Sequence, residues 1–177
     1  LIPSFLHISS TNTRMLPGEK LAVYHLLKRW QGFYVEPGNP KNIRSFEDLT
    51  RKNIRMVNRD KGSGIRVFVD EMCKKLGISH GEIYGYNDVV SSHYSAATAV
   101  LRGAADVAIG NEKTCQMIGG LDFIPLKQED YDMIFREEDL QRPEFQRLIY
   151  LIQSDEFRRE VEAVSTYDAT GLGERIM

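Results

Sequence analysis

The sequence predicts an α/β fold built on a mainly parallel sheet, because patterns typical of strands and of helices alternate through the middle of the chain. Three units of strand, loop and helix follow one another between residues 54 and 117. Consecutive parallel strands need a crossover connection, usually a helix, so this order is typical of a sheet with helices on its faces. The composition, 42% hydrophobic and 27% charged, is that of an ordinary folded protein.

Two strands and a short helix are predicted before these units. Runs of aliphatic and aromatic residues indicate strands at 21–27 and 32–35. Ser45 followed by Asp48 is the pattern of a capping box and predicts a short helix at 45–49.

Each of the three central units begins with a short apolar strand, at 54–58, 83–86 and 106–109. The first strand leads to a helix whose apolar residues recur at spacings of three and four, with Gly77 as its C-terminal stop. The second leads to an alanine-rich helix, and the third to a short helix that runs through Met117.

Two further strands and two helices complete the predicted elements. The strands are expected at 121–126 and 131–135, and from Pro143 onward the apolar period becomes helical. Ser154 separates two apolar stripes and is well placed as the N-cap of the second helix.

The strand order also predicts where a ligand binds. Ligands of parallel α/β sheets bind beyond the carboxyl ends of the strands, where loops enter helices. The loops after Asn58, Tyr86 and Ile109 are therefore expected to lie together at one edge of the sheet.

The first of these loops combines serine, glycine and arginine at the start of a helix. Ser63 and Gly64 place unshielded backbone N–H groups at the positive end of that helix, which suits an anion. Arg59 and Arg66 add positive charge, and residues 51–66 hold six Lys or Arg against one acidic residue. The alternative is an ordinary capped helix start with solvated charges, because Gly-Ser-Gly alone is a weak signal and no Walker A loop is present.

The second loop and one tyrosine supply further candidate ligands. Ser92 and His93 lie at the start of the next predicted helix and could donate to the same anion, although adjacent hydroxyls are often only helix caps. Tyr131 is a less firm candidate, since buried tyrosines with one partner are common. The four histidines lack HxxH or HExxH spacing, and neither a nucleophile elbow nor a carboxylate pair stands out. The sequence therefore predicts a binding site with no catalytic residues and no metal.

Charge and cysteine content narrow the class of protein further. The net charge of −2 argues against a dedicated nucleic-acid or membrane-surface binder. Cys73 and Cys115 indicate two reduced thiols in the core of a cytoplasmic protein, with a single disulfide or a reactive thiol as alternatives. The first residues lack an initiator Met and the pattern of a signal peptide, so the chain is expected to be a piece of a larger protein, with a mature product as the alternative.

Three segments together carry a resemblance to a known family: NRDKGSGIRVFVDEM (58–72), SSHYSAATAVLRGAADVAIGNE (91–112) and GLDFIPLKQEDYDMIF (120–135). In this order they resemble the periplasmic-binding-protein-like domain of cytoplasmic molybdenum proteins, and residues 21–40 resemble its crossover region. In that family the domain is attached to a winged-helix regulator of molybdate uptake or to molybdopterin-biosynthesis enzymes.

The resemblance implies a two-lobed, type II periplasmic-binding-protein-like fold with mainly parallel sheets that closes on molybdate or tungstate. It implies sensing rather than catalysis, no cofactor, and a signal to an attached or partner DNA-binding or biosynthetic domain. Direct contact of this segment with nucleic acid or membrane is not expected. Residues 35–126 are expected to form lobe two. Residues 1–34 are expected to form a crossover and a remnant of lobe one. Residues 127–177 are expected to form the return crossover and the C-terminal helices of the same lobe.

Two departures from the family pattern bear on this function. Ile65 stands where the family usually has Thr, which removes a hydroxyl donor. An organic molecule therefore remains an alternative to the oxyanion as the ligand. Lobe one also looks incomplete, so a removed segment or a second copy of the chain, as in a homodimer, is expected to complete its sheet. An extracytoplasmic receptor of an anion transporter, a molybdopterin-related binding domain of a biosynthetic enzyme and a pure interaction module remain as alternatives.

Overall fold

The computed structural model describes residues 18–177, in which strands and helices alternate. The strands are β1 (Leu21–Val35), β2 (Asn58–Arg59), β3 (Val89–Val90), β4 (Val107–Asn111), β5 (Asp122–Arg136) and β6 (Tyr167–Asp168). The α-helices are α1 (Gly64–Leu76), α2 (His93–Leu101), α3 (Glu112–Ile118), α4 (Pro143–Ile152) and α5 (Asp155–Glu162). Short 3₁₀ helices lie at Glu47–Thr50, His80–Glu82 and Glu137–Gln141. None of the helices in this part of the chain is both long and apolar enough to cross a bilayer.

The described chain divides into two compact units. Unit one contains residues 18–29 and 128–177, and unit two is Trp30–Lys127. Strands β1 and β5 supply residues to both units, because each boundary falls within one of these strands. The sequence predicts lobe boundaries after residues 34 and 126. In the structure, the boundaries between the two units fall after Arg29 and Lys127.

Unit two is built on parallel strands with one antiparallel neighbour. β2 pairs with β3 in parallel, with Asn58 opposite Val89, and Met56 forms a parallel bridge with Val107 of β4. β4 in turn pairs antiparallel with residues 31–35 of β1. The predicted α/β arrangement of parallel strands and crossover helices is therefore confirmed in this unit.

Apolar clusters cover both faces of this sheet, because successive side chains of a strand point to opposite faces. Val107 and Ile109 of β4 belong to the core cluster that includes Val69 of α1. Ala108, between them, belongs to the opposite cluster together with Ala97 of α2. The small side chains of α2 let that helix lie close to the sheet.

Unit one has a core of its own, built on its part of the sheet in which β1 is hydrogen-bonded to β5 and β6. β1 pairs antiparallel with β6, and the His25 N–H donates to the Glu174 carbonyl oxygen at 2.9 Å. Ile152 of α4 and Val161 of α5 pack with Tyr24 of β1 in the core. These helices therefore cover one face of the unit-one sheet.

Two pairs of predicted strands are single long strands in the structure. The strands predicted at 21–27 and 32–35 are both parts of β1, and those predicted at 121–126 and 131–135 are both parts of β5. The residues between each pair are mostly half-exposed or exposed, so polar side chains are accommodated there without a break in the strand.

The strand predicted at 83–86 is wrong. This segment is a turn that follows a 3₁₀ helix, and Gly85 within it has a φ of 85°. The turn still lies against the neighbouring chain, because the Met56 N–H donates to the Tyr84 carbonyl oxygen at 2.9 Å. Regular parallel pairing begins only with β3.

The capping box predicted at Ser45 is present only in part. The helix is a 3₁₀ turn at Glu47–Thr50 with no side-chain cap. The Asp48 carboxylate instead accepts the N–H groups of Arg44 and Ser45 at 2.8 and 3.0 Å. The aspartate therefore makes one of the two bonds of a capping box. The other is missing, because the Ser45 Oγ donates to the same carboxylate at 3.5 Å instead of accepting the Asp48 N–H.

Candidate ligand-binding site

The starts of α1 and α2 lie next to each other at one edge of unit two. Parallel pairing of β2 with β3 brings the carboxyl ends of both strands to the same edge, and the two helices follow those ends. Arg59 connects the two loops: its Nε donates to the Val90 carbonyl oxygen at 3.2 Å and its Nη2 to that of Ser91 at 3.0 Å. The structure therefore brings together the loops that precede α1 and α2, which are two of the three loops predicted at this edge.

Ser63 is the N-cap of α1. Its backbone is extended, with φ −71° and ψ 145°, and its Oγ accepts the Arg66 N–H at 3.1 Å. Gly64 is the first helical residue, and a Cβ built on it would meet no heavy atom within 4 Å. Open space therefore lies beside the first turn, whose earliest N–H groups have no acceptor within the helix.

Ser92 is the N-cap of α2 in the same way. Its Oγ accepts the Ser95 N–H at 2.9 Å and lies 2.8 Å from the Ser95 Oγ. His93 is the first residue of α2 and is half-buried. Capping occupies a lone pair of the serine oxygen and does not consume the hydroxyl hydrogen, so a capping serine can also donate to a ligand.

The electrostatics of these two helix starts differ from those of the other described α-helices. Neither α1 nor α2 has an acidic residue in its first turn. The helices α3, α4 and α5 do have them, at Glu112, at Glu144, and at Asp155 and Glu156. A carboxylate in the first turn offsets the positive helix end, so the positive ends of α1 and α2 keep more of their attraction for an anion. Asp60 precedes α1, and its carboxylate lies 3.5 Å from the Arg59 Nε.

The guanidinium group of Arg66 is held inside unit two, where the residue is only 6% exposed. Its Nε donates to the Asp70 carboxylate at 3.0 Å, its Nη1 donates to the Arg59 carbonyl oxygen at 3.4 Å, and it lies 4.3 Å from the centre of the Tyr86 ring. Burial alone would lower the pKa of Arg66, but hydrogen bonds with Tyr86 and Asp70 raise it above its ordinary value. Arg66 and Arg59 thus fix the start of α1, and their direct contact with a ligand stays a prediction.

Tyr131 lies in unit one, whereas the other six predicted site residues are all in unit two. The Arg29 guanidinium lies 4.6 Å from the centre of the Tyr131 ring, and the ring packs against the core of unit one. The contacts within unit one therefore give Tyr131 a packing role.

Asn58 shapes the loop before α1 and was not singled out by the sequence analysis. It is 1% exposed, its Nδ2 donates to the Tyr86 carbonyl oxygen at 3.1 Å, and its Oδ1 accepts the Arg59 N–H at 2.8 Å. A polar residue at the end of an otherwise apolar strand is the signal that could have found it, because a buried amide must be hydrogen-bonded.

Both cysteines are free and buried, as expected for reduced core thiols. Burial raises the pKa of the Cys73 thiol, and burial raises that of Cys115 to about 11. Since the thiolate is the reactive form, neither residue has the character of a nucleophile.

Replacing Ser63 with Ala should lower the free energy of unfolding by about 1 kcal/mol, because the Arg66 N–H loses its capping acceptor. Urea unfolding followed by far-UV circular dichroism measures the change. Ser63→Asn is the control, since asparagine also caps helices and should retain most of the stability. A Ser63→Ala protein as stable as the parent would contradict the capping role.

The fold around these helix starts matches that of known ligand-binding proteins. Residues 8–153 match the description "PBP superfamily domain". The chain belongs to the PBP superfamily. This membership confirms the predicted α/β, type II periplasmic-binding-protein-like fold and makes the chain a PBP-like ligand-binding domain. The match defines the superfamily and does not distinguish the molybdate-responsive subtype within it.

One sequence relative and two solved structures give the comparison its detail. YvgK of Bacillus subtilis (strain 168) is 37% identical over 164 residues, which cover 93% of this chain and 52% of YvgK. This PBP-superfamily chain therefore spans about half the length of that relative. A mutant of ArgBP from T. maritima aligns with a TM-score of 0.60 at 18% identity, over 91% of this chain and 66% of ArgBP. The GluR0 ligand-binding core from Nostoc punctiforme, in complex with (L)-glutamate, aligns with a TM-score of 0.58 at 16% identity, over 90% and 70% of the two chains.

Proposed function

We propose that unit two binds a small oxyanion at the paired starts of α1 and α2, and that the chain senses molybdate or tungstate without catalysing a reaction. The observation that carries this proposal is the pair of neighbouring, serine-capped helix starts that lack acidic residues in their first turns. Backbone N–H groups and hydroxyls at helix starts hold a tetrahedral dianion without a counter-metal. The proposed donors are Ser63, Gly64, Ser92 and His93, with Arg59 and Arg66 as sources of positive charge.

Ile65 limits the number of hydroxyl donors in this site. Its side chain is 4% exposed and packs in the core with Val69. The position at which the resembled family usually has Thr therefore supplies no hydroxyl here, and the hydroxyls of Ser63 and Ser92 remain. A site with fewer donors also suits a carboxylate, which has two oxygens where molybdate has four.

The second candidate ligand is accordingly an amino acid bound through its carboxylate. The GluR0 ligand-binding core, which shares this fold, is in complex with (L)-glutamate. A helix start attracts a carboxylate by the same charge and N–H donors as an inorganic oxyanion. A molybdopterin-related organic ligand, or an anionic solute of a transport receptor, would bind at the same helix starts through its anionic group.

Isothermal titration calorimetry of the purified chain distinguishes these ligands. Molybdate, tungstate, sulfate, phosphate, L-glutamate and L-arginine are titrated separately. The proposal expects heat from molybdate and tungstate, and heat from an amino acid alone would select the second candidate. No heat from any of the inorganic oxyanions would overturn the oxyanion proposal.

Replacing Gly64 with Glu should weaken molybdate binding by about tenfold or more, because it adds a negative charge in the open space beside the first turn of α1. The fold should be kept, since acidic residues are favourable in the first turn of a helix. Calorimetry measures the affinity and circular dichroism the fold. Gly64→Ala is the matched control and should retain binding; equal affinity of the Glu and Ala variants would place the anion elsewhere.

A cytoplasmic location and an attached or partner DNA-binding or biosynthetic domain belong to the same proposal. Fractionation of the source cells, followed by immunoblotting with an antibody against this chain, tests the location. Detection in the cytoplasmic fraction supports a sensor, whereas detection outside the cytoplasm favours the transport-receptor alternative.

A further inference from the structure

Unit one contains a cavity of about 490 Å³ that is separate from the site in unit two. It is bounded by β1, β5 and the chain that follows β6. Its polar lining consists of His25, Lys28, Asp130, Asp132, Thr170 and Glu174. The volume is in the range of ordinary small-molecule sites.

A buried imidazole in this cavity has one nitrogen without a partner. His25 and Asp132 are 6% and 4% exposed, and the His25 Nδ1 lies 2.7 Å from the Asp132 Oδ1. Since an ionised carboxylate can only accept, Nδ1 carries the hydrogen and donates a hydrogen bond to Asp132. The opposite nitrogen, Nε2, is buried and has no hydrogen-bond partner among residues 18–177. Buried polar atoms in proteins normally have a hydrogen-bond partner, so the unpartnered Nε2 indicates that a ligand can supply one.

The position of Gly171 shows which way the unpartnered side of the ring faces. A Cβ built on Gly171 would lie 3.4 Å from the His25 Cδ2, which is bonded to Nε2. Gly171 and His25 both line the cavity. The Nε2 edge of the imidazole therefore lies beside Gly171, a residue that lines the cavity.

The charge around the cavity favours a cation over an anion. Three carboxylates, of Asp130, Asp132 and Glu174, line it together with the single ammonium group of Lys28. The Lys28 Nζ lies 4.0 Å from the Asp130 Oδ1, and both side chains are exposed, so this carboxylate offsets the lysine charge only weakly. Within the described residues no group of three His, Cys, Asp or Glu side chains is arranged to hold a metal ion. An organic cation with N–H groups could, in addition, donate a hydrogen bond to the His25 Nε2.

We propose that this cavity binds a small organic cation with N–H donors, a primary ammonium or guanidinium compound. One N–H of the ligand donates to the His25 Nε2, and the carboxylates of Asp132 and Glu174 offset its positive charge. When His25 is neutral and its Nδ1–H is bonded to the Asp132 carboxylate, its Nε2 is the acceptor.

Matched ligands test the hydrogen bond to His25. The 177-residue chain is titrated with methylammonium, agmatine and tetramethylammonium in an amine-free buffer, and the His25 side-chain nitrogens are followed by NMR. Methylammonium and agmatine should bind and shift the Nε2 resonance. Tetramethylammonium has the charge but no N–H, so it should bind about two- to tenfold more weakly than methylammonium and leave Nε2 unchanged. Equal binding of the methylammonium and tetramethylammonium ions, or no binding of any cation, would overturn the proposal.

Two charge variants with opposite expected signs test the electrostatics without altering the buried pair. Glu174→Gln should weaken agmatine binding about two- to fivefold, and Lys28→Gln should strengthen it by a similar factor, because they remove an attracting and a competing charge. Glu162→Gln, which changes an exposed acid outside the cavity lining, is the control. The reverse signs for Glu174→Gln and Lys28→Gln would indicate an anion site and contradict the proposal.

Discussion

Replacing Gly85 with Ala should lower the free energy of unfolding by about 3 kcal/mol or more. Gly85 has a φ of 85°, a conformation that side chains with a Cβ rarely adopt, and the added Cβ would lie 2.0 Å from the Met56 carbonyl oxygen. Because that neighbour is backbone, it cannot move without separating the turn from the strand at Met56, where the N–H donates to the Tyr84 carbonyl oxygen. Urea unfolding followed by far-UV circular dichroism measures the loss.

Gly81 offers a matched control four residues away along the chain. A Cβ built there has the Ser79 Oγ as its nearest contact, at 3.9 Å, and no positive φ. Gly81→Ala should therefore change the stability by no more than about 0.5 kcal/mol. If Gly85→Ala unfolds at the same urea concentration as Gly81→Ala, the close approach of this turn to Met56 is wrong.

The helices that could be predicted are those whose limits are set by local chemistry. The apolar period of α1 and the glycine after it predict its extent, and Gly77 takes up a left-handed conformation with φ 69°. Ser154 caps α5 as predicted, and its Oγ accepts the Phe157 N–H at 3.2 Å. These interactions lie within four residues in the sequence, so the sequence pattern contains them.

The turn at 83–86 could not be predicted, because its conformation depends on distant residues. Tyr86 resembles a strand residue by type, yet its hydroxyl donates to the Asp70 carboxylate and its ring stacks on His80 with centroids 4.1 Å apart. Burial raises the pKa of the Tyr86 phenol to about 12, so it stays protonated as the donor. Asp70 belongs to α1, and nothing in the local pattern around Tyr86 indicates this contact.

The candidate site likewise contains features that the local sequence predicts and contacts that only the fold shows. Serine caps at Ser63 and Ser92 are local features, and the strand order brings the two helix starts together. The partners of the arginines are not local, since Arg59 donates to carbonyl oxygens 31 and 32 residues away. The sequence therefore indicates where positive charge is concentrated, while only the fold shows that Arg59 connects the two loops.

Replacing Arg59 with Ala should lower the free energy of unfolding by about 2–4 kcal/mol. The residue is 9% exposed, and loss of its guanidinium group leaves the carbonyl oxygens of Val90 and Ser91 without this donor. Because those bonds hold the loop after β3 beside the start of α1, molybdate affinity should also fall by about tenfold or more. Urea unfolding and calorimetry measure the two effects. Lys61→Ala, an exposed cation in the same loop, is the control and should change the stability by less than about 0.5 kcal/mol.

Arg59→Lys separates a positioning role from a direct charge contact with the ligand. Lysine keeps the positive charge, but its single nitrogen cannot reproduce the two donor positions with which Arg59 bonds both carbonyl oxygens. If Arg59 acts by positioning the loops, the Lys variant should lose both stability and molybdate affinity, in the direction of the Ala variant. A Lys variant that is less stable than the parent but binds molybdate equally well would show that charge alone is needed. The anion would then contact residue 59 directly, and the connection between the two loops would serve stability rather than binding.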